Sequence, residues 1–433
     1  MIAGPAALVA AATLILGLFV SGIPIFLAFL AVNLIGIWAM LGAPAFPMLI
    51  NSMFATTTNG QLTAIPLFVL MGEILFRSGA TERIFEAVDR FIGSVKGRQY
   101  VLAGILSAIF GALSGSNMAV AAMMARTIFP GMVARGYDRR LSMGMILGGA
   151  SLAPVIPPSV LVIIIATLAN VSVAGLLVAG VLPGLMLAGL FIGYAMLRIR
   201  LNPALAPEST GPARALPIGR AILFCLPFFG LIVLVLGLIL MGIATPSESA
   251  AIGVTGALVI AGMFRKLTVN LLTDALRAAA LMTAMILIIM ASSTLFSQLL
   301  AISGASRQIT ALVTALDLSP GLMVLAMMLI VFAFCMFVDQ VAVMLIVIPI
   351  YLPVITLLQI DPLWFWMMML LNVTVGGITP PFGYAMFAFR GAAQGVSMSE
   401  LFQASWAFVG LFVVGMLILS AAPWLATWLP GFV

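Results

Sequence analysis

Residues 148–159 read GGASLAPVIPPS and residues 375–383 read VGGITPPFG, and both stretches lie inside long apolar runs. Each contains two adjacent prolines, at 157–158 in the first stretch and at 380–381 in the second. Adjacent prolines remove two backbone amide donors and clash with the preceding turn, so a helix cannot run through them. Both stretches are therefore predicted to be helices that unwind and then restart.

The composition around these breaks is that of a membrane protein. Of the 433 residues, 64% are hydrophobic and only 7% are charged, whereas about a quarter of a soluble domain is charged. At ~20 residues per span, the charge-free runs predict an all-α polytopic protein with roughly 11–13 inserted segments. Unwound backbone in a bilayer must be buried in protein or line an aqueous cavity, so the two breaks are candidates for a binding site.

Several classes of function lack their chemical groups in this sequence. Histidine is absent, which removes His-based acid–base chemistry and Ser-His or Cys-His nucleophile pairs. No GxxxxGK[ST] motif supports an ATPase. The net charge of +6 is typical of Lys and Arg held in cytoplasmic loops and does not indicate a nucleic-acid partner. We therefore expect no enzyme activity, no organic cofactor and no transition metal.

The two breaks belong to an internal duplication. Both prolines of the first pair recur 223 residues later in the second pair, and Ser116 falls on Asp339 at the same offset. Residues 78–91 align with residues 303–316 at an offset of 225. A nearly constant offset across several landmarks indicates two repeats.

The basic residues orient these repeats in the membrane. Segments 77–98 and 126–140 hold five and four basic residues, while their counterparts near 302–321 and 349–363 hold only Arg307. Because basic loops are typically cytoplasmic, the second repeat is predicted to be inverted relative to the first.

The same rule predicts two re-entrant hairpins. If both flanks of the apolar run at about 99–125 are cytoplasmic, that run enters and leaves on one side, and a second hairpin at about 322–350 enters from outside. The alternative is a single span, since 27 helical residues are long enough to cross a bilayer. Small and polar residues in the middle of the first run favour the hairpin.

Polar groups inside the hairpins are candidate cation ligands. The first hairpin carries Ser114-Gly115-Ser116-Asn117, whose oxygens suit a hard cation such as Na⁺. The alternative is a helix contact through small residues. The second carries Asp339, and an intramembrane carboxylate is usually functional. It could ligate Na⁺ or exchange a proton, or it could lie at a helix end in the membrane interface.

The broken helices are candidates for an anion site. The helix that restarts after each proline pair has free amide donors and a partial positive charge at its N-terminus. A simple proline kink is the alternative. Arg390 follows the second pair by about one further helical segment, and it could pair with a substrate carboxylate or reach the surface.

The sequence also predicts an order of units along the chain. A flexible cytoplasmic connection is indicated by four arginines, four prolines and only one acidic residue near the middle. The apolar N-terminus is interpreted as an uncleaved first span rather than a signal peptide. The predicted units are N-terminal scaffold helices at 1–62, a first inverted repeat at 63–197 with its unwound helix at about 148–160, the linker at 198–220, second-half scaffold helices at 221–290, and a second inverted repeat at 291–433 with its unwound helix at about 376–383.

An ordered set of motifs resembles the large membrane subunit of tripartite ATP-independent periplasmic (TRAP) transporters, of the DctM-like type. The motifs are PLFVLMGEILFRSGATERI (66–84), GALSGSNMAVAA (111–122), PGMVARGYDRR (130–140), APVIPPS (153–159), VDQVAVMLIVIPIYLPV (338–354) and GGITPPFG (376–383). The resemblance covers nearly the whole chain. It implies a Na⁺-driven importer of the ion transporter superfamily, with an inverted-repeat, elevator-type fold.

The resemblance also implies partners and a location. Such a subunit works with a small four-helix membrane subunit and a periplasmic substrate-binding protein, in the inner membrane of a bacterium. The cargo would be an organic acid. Two alternatives stay open: a binding-protein-independent Na⁺/organic-anion symporter of the same superfamily, and a channel or scaffold membrane protein.

Carried over by motif, the resemblance places the ligands in two groups. The Na⁺ ligands implied are Ser114, Gly115, Ser116, Asn117 and Gly149 for one site, and Asp339, Gly376, Gly377 and Thr379 for the other. The substrate-binding residues expected are Ser151, Pro157, Ser159 and Pro380, together with Arg390, which is proposed from its own position because the sequence departs from the family's pattern there.

Overall fold

The computed structural model describes residues 13–14, 17–18, 21–79, 81–93, 95–207 and 217–433. Most of the predicted first span and residues 208–216 of the predicted linker lie outside these ranges. Every regular element in the described ranges is helical, which confirms the expected all-α class.

The helices follow one another with short connections. In the first half they are α1 (Ile25–Leu41), α2 (Pro47–Thr57), α3 (Ala64–Arg77), α4 (Thr81–Ile92), α5 (Arg98–Ser114), α6 (Asn117–Thr127), α7 (Phe129–Ala134), α8 (Arg139–Ala150), α9 (Val160–Leu168), α10 (Val173–Ala179) and α11 (Val181–Leu201). In the second half they are α12 (Ile218–Leu240), α13 (Pro246–Met263), α14 (Val269–Ile302), α15 (Ala305–Ala315), α16 (Pro320–Cys335), α17 (Gln340–Leu357), α18 (Pro362–Gly376), α19 (Tyr384–Ala392), α20 (Met398–Ala421) and α21 (Trp424–Thr427).

The apolar helices differ in length. Within the described residues, eight helical stretches are long and apolar enough to cross a membrane, and four apolar helices are shorter. Two of the eight, Asn117–Ala134 and Gln340–Leu357, contain the second arms of the hairpins. Three of the shorter ones, α5, α16 and α18, have 17, 16 and 15 residues. At ~1.5 Å per residue they fall short of a hydrocarbon core of about 30 Å. They are the first arms of the hairpins and half of a broken helix.

The first predicted hairpin is confirmed. Helix α5 ends at Ser114, and Gly115 has a φ of 62°, a left-handed conformation that glycine adopts without a steric penalty. Ser116 then caps α6, its side-chain oxygen accepting a hydrogen bond from the backbone amide of Ala119 at 3.3 Å. The chain reverses within these residues, so the run is not a single span.

The second hairpin has the same design. Helix α16 ends at Cys335, and α17 begins at Gln340 after Asp339, whose carboxylate accepts from the amide of Val341 at 2.9 Å. Ser116 and Asp339, matched by the repeat offset, therefore hold the same structural position. Each caps the second arm of its hairpin.

Both proline pairs interrupt helices as expected. Helix α8 ends at Ala150 and the chain becomes helical again at Val160, while α18 ends at Gly376 and helix resumes at Tyr384. The Pro157-Pro158 and Pro380-Pro381 peptide bonds are both cis.

In the core, a hairpin arm of each repeat packs against the broken helix of the other repeat. Helix α6 of the first hairpin packs against α19, which belongs to the broken helix of the second repeat. Helix α17 of the second hairpin packs against α9 of the first broken helix. The long helix α14 contacts α1, α2 and α3, and it also packs against α17 and α9. The hairpin tips are thus held between elements of opposite repeats.

Candidate functional site

The tip of the first hairpin lies between both unwound segments. On one side the side-chain amide of Asn117 donates to the Tyr384 hydroxyl at 3.0 Å, and Asn117 is only 3% exposed. On the other side Gly115 faces the first break, where a Cβ added to it would lie 3.9 Å from Pro158 O and from Val160 N. A single turn of chain therefore touches groups from both repeats.

Small residues make these approaches possible. A Cβ at Gly149 would lie 2.6 Å from Ser107 Cβ, and a Cβ at Gly376 would lie 2.7 Å from the backbone oxygen of Cys335. Each of these glycines precedes or lies at the unwound stretch of its repeat, and each abuts the first arm of a hairpin. The close contact brings backbone carbonyls of the break near the hairpin.

The side-chain oxygens at the site are mostly buried, and some of them already form hydrogen bonds within the protein. Ser151 and Thr379 are fully buried, and their hydroxyls donate to the carbonyls of Leu147 at 3.0 Å and Val375 at 2.7 Å. Ser114 Oγ accepts from the amide of Ser116 at 3.3 Å. A hydroxyl that donates one hydrogen bond keeps lone pairs, so these groups can still face a cation.

Two of the four helix N-termini at the site differ in how they are capped. Ser159, fully buried, caps α9 by accepting from the amide of Val162 at 3.4 Å. Gly383 precedes α19 and offers no side-chain cap. The amides of Ala385 and Met386 donate to Gly377 O at 3.0 Å and to Gly383 O at 2.9 Å. The positive end of the helix dipole at this N-terminus therefore has no side-chain cap, although two of its first amides are already hydrogen-bonded.

Asp339 lies at the tip of the second hairpin and is partly exposed. It is at a helix end, as one of the alternatives proposed, but that end belongs to a packed hairpin rather than to a surface span. Tyr384, the first residue of α19, is hydrogen-bonded to the first tip through Asn117 at 3.0 Å.

Some residues at the site were not predicted from the sequence. Tyr384 is one, although its place as the first residue after VGGITPPFG could have indicated it. Ser107 and Thr374 are others, because their buried hydroxyls have no hydrogen-bond partner among the described residues. Each lies on a broken helix or on the hairpin arm beside it, inside apolar sequence where a hydroxyl is usually ignored.

Arg390 is not brought to the tips. It is exposed and lies in the last turn of α19, six residues beyond Tyr384. Its neighbour Phe389 packs edge-on against Phe129 at a centroid distance of 5.2 Å, at the base of the first hairpin. This placement agrees with an arginine that reaches the surface.

Exchanged hairpins around two unwound helices define a class of protein. Inverted repeats with discontinuous helices at their interface are the architecture of secondary transporters. The sequence profile described as "Tripartite ATP-independent periplasmic transporter, DctM component" matches residues 12–425. The chain therefore belongs to the DctM family of TRAP transporters, as the motifs predicted.

Named relatives agree along the whole chain. The C4-dicarboxylate TRAP transporter large permease protein DctM of Pseudomonas aeruginosa is 28% identical over 383 residues, which is 88% of each chain. The 2,3-diketo-L-gulonate TRAP transporter large permease protein YiaN of Escherichia coli is 30% identical, over 84% of this chain and 88% of the relative. The ectoine/5-hydroxyectoine TRAP transporter large permease protein UehC of Ruegeria pomeroyi is 28% identical, over 86% of each chain.

A solved structure supports the fold. The YdaH transporter of Alcanivorax borkumensis superimposes with a TM-score of 0.61 at 17% identity, covering 89% of this chain and 88% of that one. At this identity the likeness bears on the fold alone. The chain is a multi-pass membrane protein and a TRAP large permease subunit.

Proposed function

We propose that this subunit imports an organic acid by Na⁺ symport, receiving it from a periplasmic substrate-binding protein. The observation that carries the proposal is the pairing of two capped hairpin tips with two unwound helices. Backbone carbonyls, hydroxyls and one carboxylate meet there without any histidine or catalytic cluster. These are the groups that bind a hard cation and orient an anion.

Sodium would bind where hairpin oxygens meet a break. One site would use the tip at 114–117 with the Gly149 region, and the other Asp339 with the segment at 376–379. The tight contacts of Gly149 on Ser107 and of Gly376 on Cys335 support these pairings. Because the ligands come from two chain segments, bound Na⁺ would fix each hairpin against its broken helix.

The cargo would bind between the tips as an anion. The start of α19 has no side-chain cap and presents the positive end of a helix dipole, which favours an anion. Two of the relatives are named for a C4-dicarboxylate and for 2,3-diketo-L-gulonate, both carboxylates. Ser151, Pro157, Ser159 and Pro380 shape the two breaks and would line this place, whereas Arg390 lies too far along α19 to do so in this arrangement.

Transport would follow an elevator motion. The unit to move comprises both hairpins and both broken helices, and α3 and α14 belong to the scaffold. The contact between them involves Gly72, which approaches the backbone of Leu113, and Ser293, whose hydroxyl donates to Leu345 O at 2.9 Å. Ligands shift such an equilibrium only by their difference in affinity between the two states.

Two partners and a location complete the proposal. A small four-helix membrane subunit would pack on the exposed apolar scaffold, and the binding protein would deliver cargo from the periplasm. The chain would act in the bacterial inner membrane.

The test is uptake by proteoliposomes that hold the large and small subunits. Radiolabelled succinate, a C4-dicarboxylate, serves first, followed by other organic acids loaded on the binding protein. We expect accumulation only with an inward Na⁺ gradient and with the binding protein present. Accumulation without the binding protein would favour the simple symporter, and downhill flux without accumulation would favour a channel.

A further inference from the structure

A cavity of about 640 Å³ opens beside the base of the first hairpin. Its walls come from the end of α3, from α4, and from both hairpin arms α5 and α6. The loops at this end, 77–98 and 126–140, are the basic ones, which places the cavity on the cytoplasmic side. Its volume falls within the range of about 300–1,000 Å³ typical of small-molecule sites.

The cavity adjoins the hairpin tip through two aromatic rings. Phe76 and Phe110 line it, and the same two residues line a narrow cleft that reaches Leu113 and Ser114. These two rings therefore lie between the hairpin tip and the cavity.

One cation faces this space. Arg126, in the last turn of α6, is exposed and lines the cavity. Among the described side chains, no carboxylate lies within ion-pairing distance of it. Glu86, on α4, contributes the carboxylate on another wall. The arginine is therefore available to a ligand, and the acid opposes an anionic one.

We propose that Arg126 forms a transient carboxylate-binding site in this cavity, occupied by the cargo after it leaves the tips. The proposal rests on the proposed import of an organic acid. A guanidinium presents paired N–H donors that match the two oxygens of a carboxylate. The site holds the anion on its way out, so it affects release rather than capture.

The site is tested by protection of a neighbouring thiol. Thr127 is exposed, lines the same cavity and serves as the position for a Thr127→Cys variant. The two native cysteines are buried, so N-ethylmaleimide reports the new thiol. Succinate at saturation is expected to slow labelling at least threefold relative to NaCl of equal Na⁺ content, with the ionic strength matched by choline chloride.

A second substitution in the Thr127→Cys background tests whether Arg126 causes the protection by succinate. Protection should vanish with Arg126→Gln, persist with Arg126→Lys, and appear at lower succinate with Glu86→Gln, because a like charge has been removed. The matched control is Arg135→Gln, an exposed arginine outside the cavity, which should leave protection unchanged. Equal protection in the Arg126→Gln background, or none in Thr127→Cys alone, overturns the proposal.

Uptake separates this proposal from the importer assignment. In the proteoliposome assay Arg126→Gln should lower the maximal rate three- to tenfold with little change in KM, while Arg135→Gln behaves as wild type. Protection by succinate without Na⁺-driven uptake rejects the importer and keeps the site. Na⁺-driven uptake without protection rejects the site and keeps the importer.

Discussion

Ser116 and Asp339 illustrate how one residue can combine capping with ligand binding. Each caps the second arm of its hairpin through a backbone amide, and each has a further oxygen lone pair directed away from that bond. A cap is worth ~1 kcal/mol to a helix. An experiment must therefore separate a role in Na⁺ binding from the contribution that each residue makes to helix stability.

We predict that Ser116→Ala and Asp339→Asn each lower Na⁺-dependent uptake more than tenfold. The physical reason is the loss of an oxygen ligand, or of its negative charge, at a place where the cation has few alternatives. The assay is succinate uptake by proteoliposomes under an inward Na⁺ gradient, with protein content checked by chromatography.

The chain supplies matched controls for both variants. Ser172 caps α10 by accepting from Gly175 N at 3.0 Å, and Asp361 caps α18 by accepting from Trp364 N at 2.8 Å. Ser172→Ala and Asp361→Asn remove comparable caps outside the tips, so they should keep uptake within about twofold for losses of this size. If the tip variants and the controls behave alike, the tips bind no sodium.

At the residue scale, a rare chemical type allowed a position at a hairpin tip to be predicted, while the binding role of these residues stays a prediction. A carboxylate or a Ser-Gly-Ser-Asn cluster is conspicuous in apolar sequence, and both lie at hairpin tips. Tyr384 and Ser107 were not predicted because a tyrosine or serine in such sequence carries no periodicity or charge signal, and only the place of Tyr384 directly after the second break could have indicated it. Their positions follow from contacts between segments distant in the chain, which only the folded arrangement shows.

At the scale of elements, prolines and charge asymmetry predicted the breaks and the hairpins. The limits of other helices were less predictable. Helix α14 begins at Val269 and includes Asp274 and Arg277, whereas the charge-free run begins only at 278. Its first turns are exposed and polar, because a 34-residue helix is longer than a bilayer requires.

The packing of a hairpin arm on a broken helix leads to the second prediction. Gly376→Ala places a methyl group against the backbone of Cys335, which cannot move aside as a flexible side chain would. Overpacking of this kind costs about 1–3 kcal/mol. We expect a lower melting temperature of the purified subunit and weaker Na⁺ dependence of uptake.

Gly391 provides the control for this substitution. It lies in α19, and a Cβ there meets nothing within 4 Å. Since alanine favours a helix interior over glycine by about 0.5–1 kcal/mol, Gly391→Ala should leave the melting temperature equal or higher. A melting temperature of Gly376→Ala equal to that of Gly391→Ala would show that the arm and the break are not tightly packed.

At the scale of the whole molecule, the proposed elevator treats the hairpins and broken helices as one body. That body would meet the scaffold through the hydrogen bond from the Ser293 hydroxyl to Leu345 O, beside an apolar cluster that includes Phe29, Phe296 and Leu300. Relative motion would break this hydrogen bond, whereas the apolar contact is non-directional. By contrast, contacts such as Gly111 on Ala153 lie inside the body and should not change.

The last prediction follows from this division into two bodies. In the variant Ser293→Cys with Leu345→Cys, a short bifunctional methanethiosulfonate reagent would tie the moving body to the scaffold. We expect crosslinking to abolish uptake and a reductant to restore it. The control is Met328→Cys with Asn372→Cys, on α16 and α18, where the side-chain amide of Asn372 donates to Met328 O at 2.7 Å. Crosslinking there joins two parts of one body, so uptake should continue. Full uptake by the crosslinked scaffold pair would show that cargo crosses without relative motion at this surface, and the elevator would then be rejected in favour of a local gate.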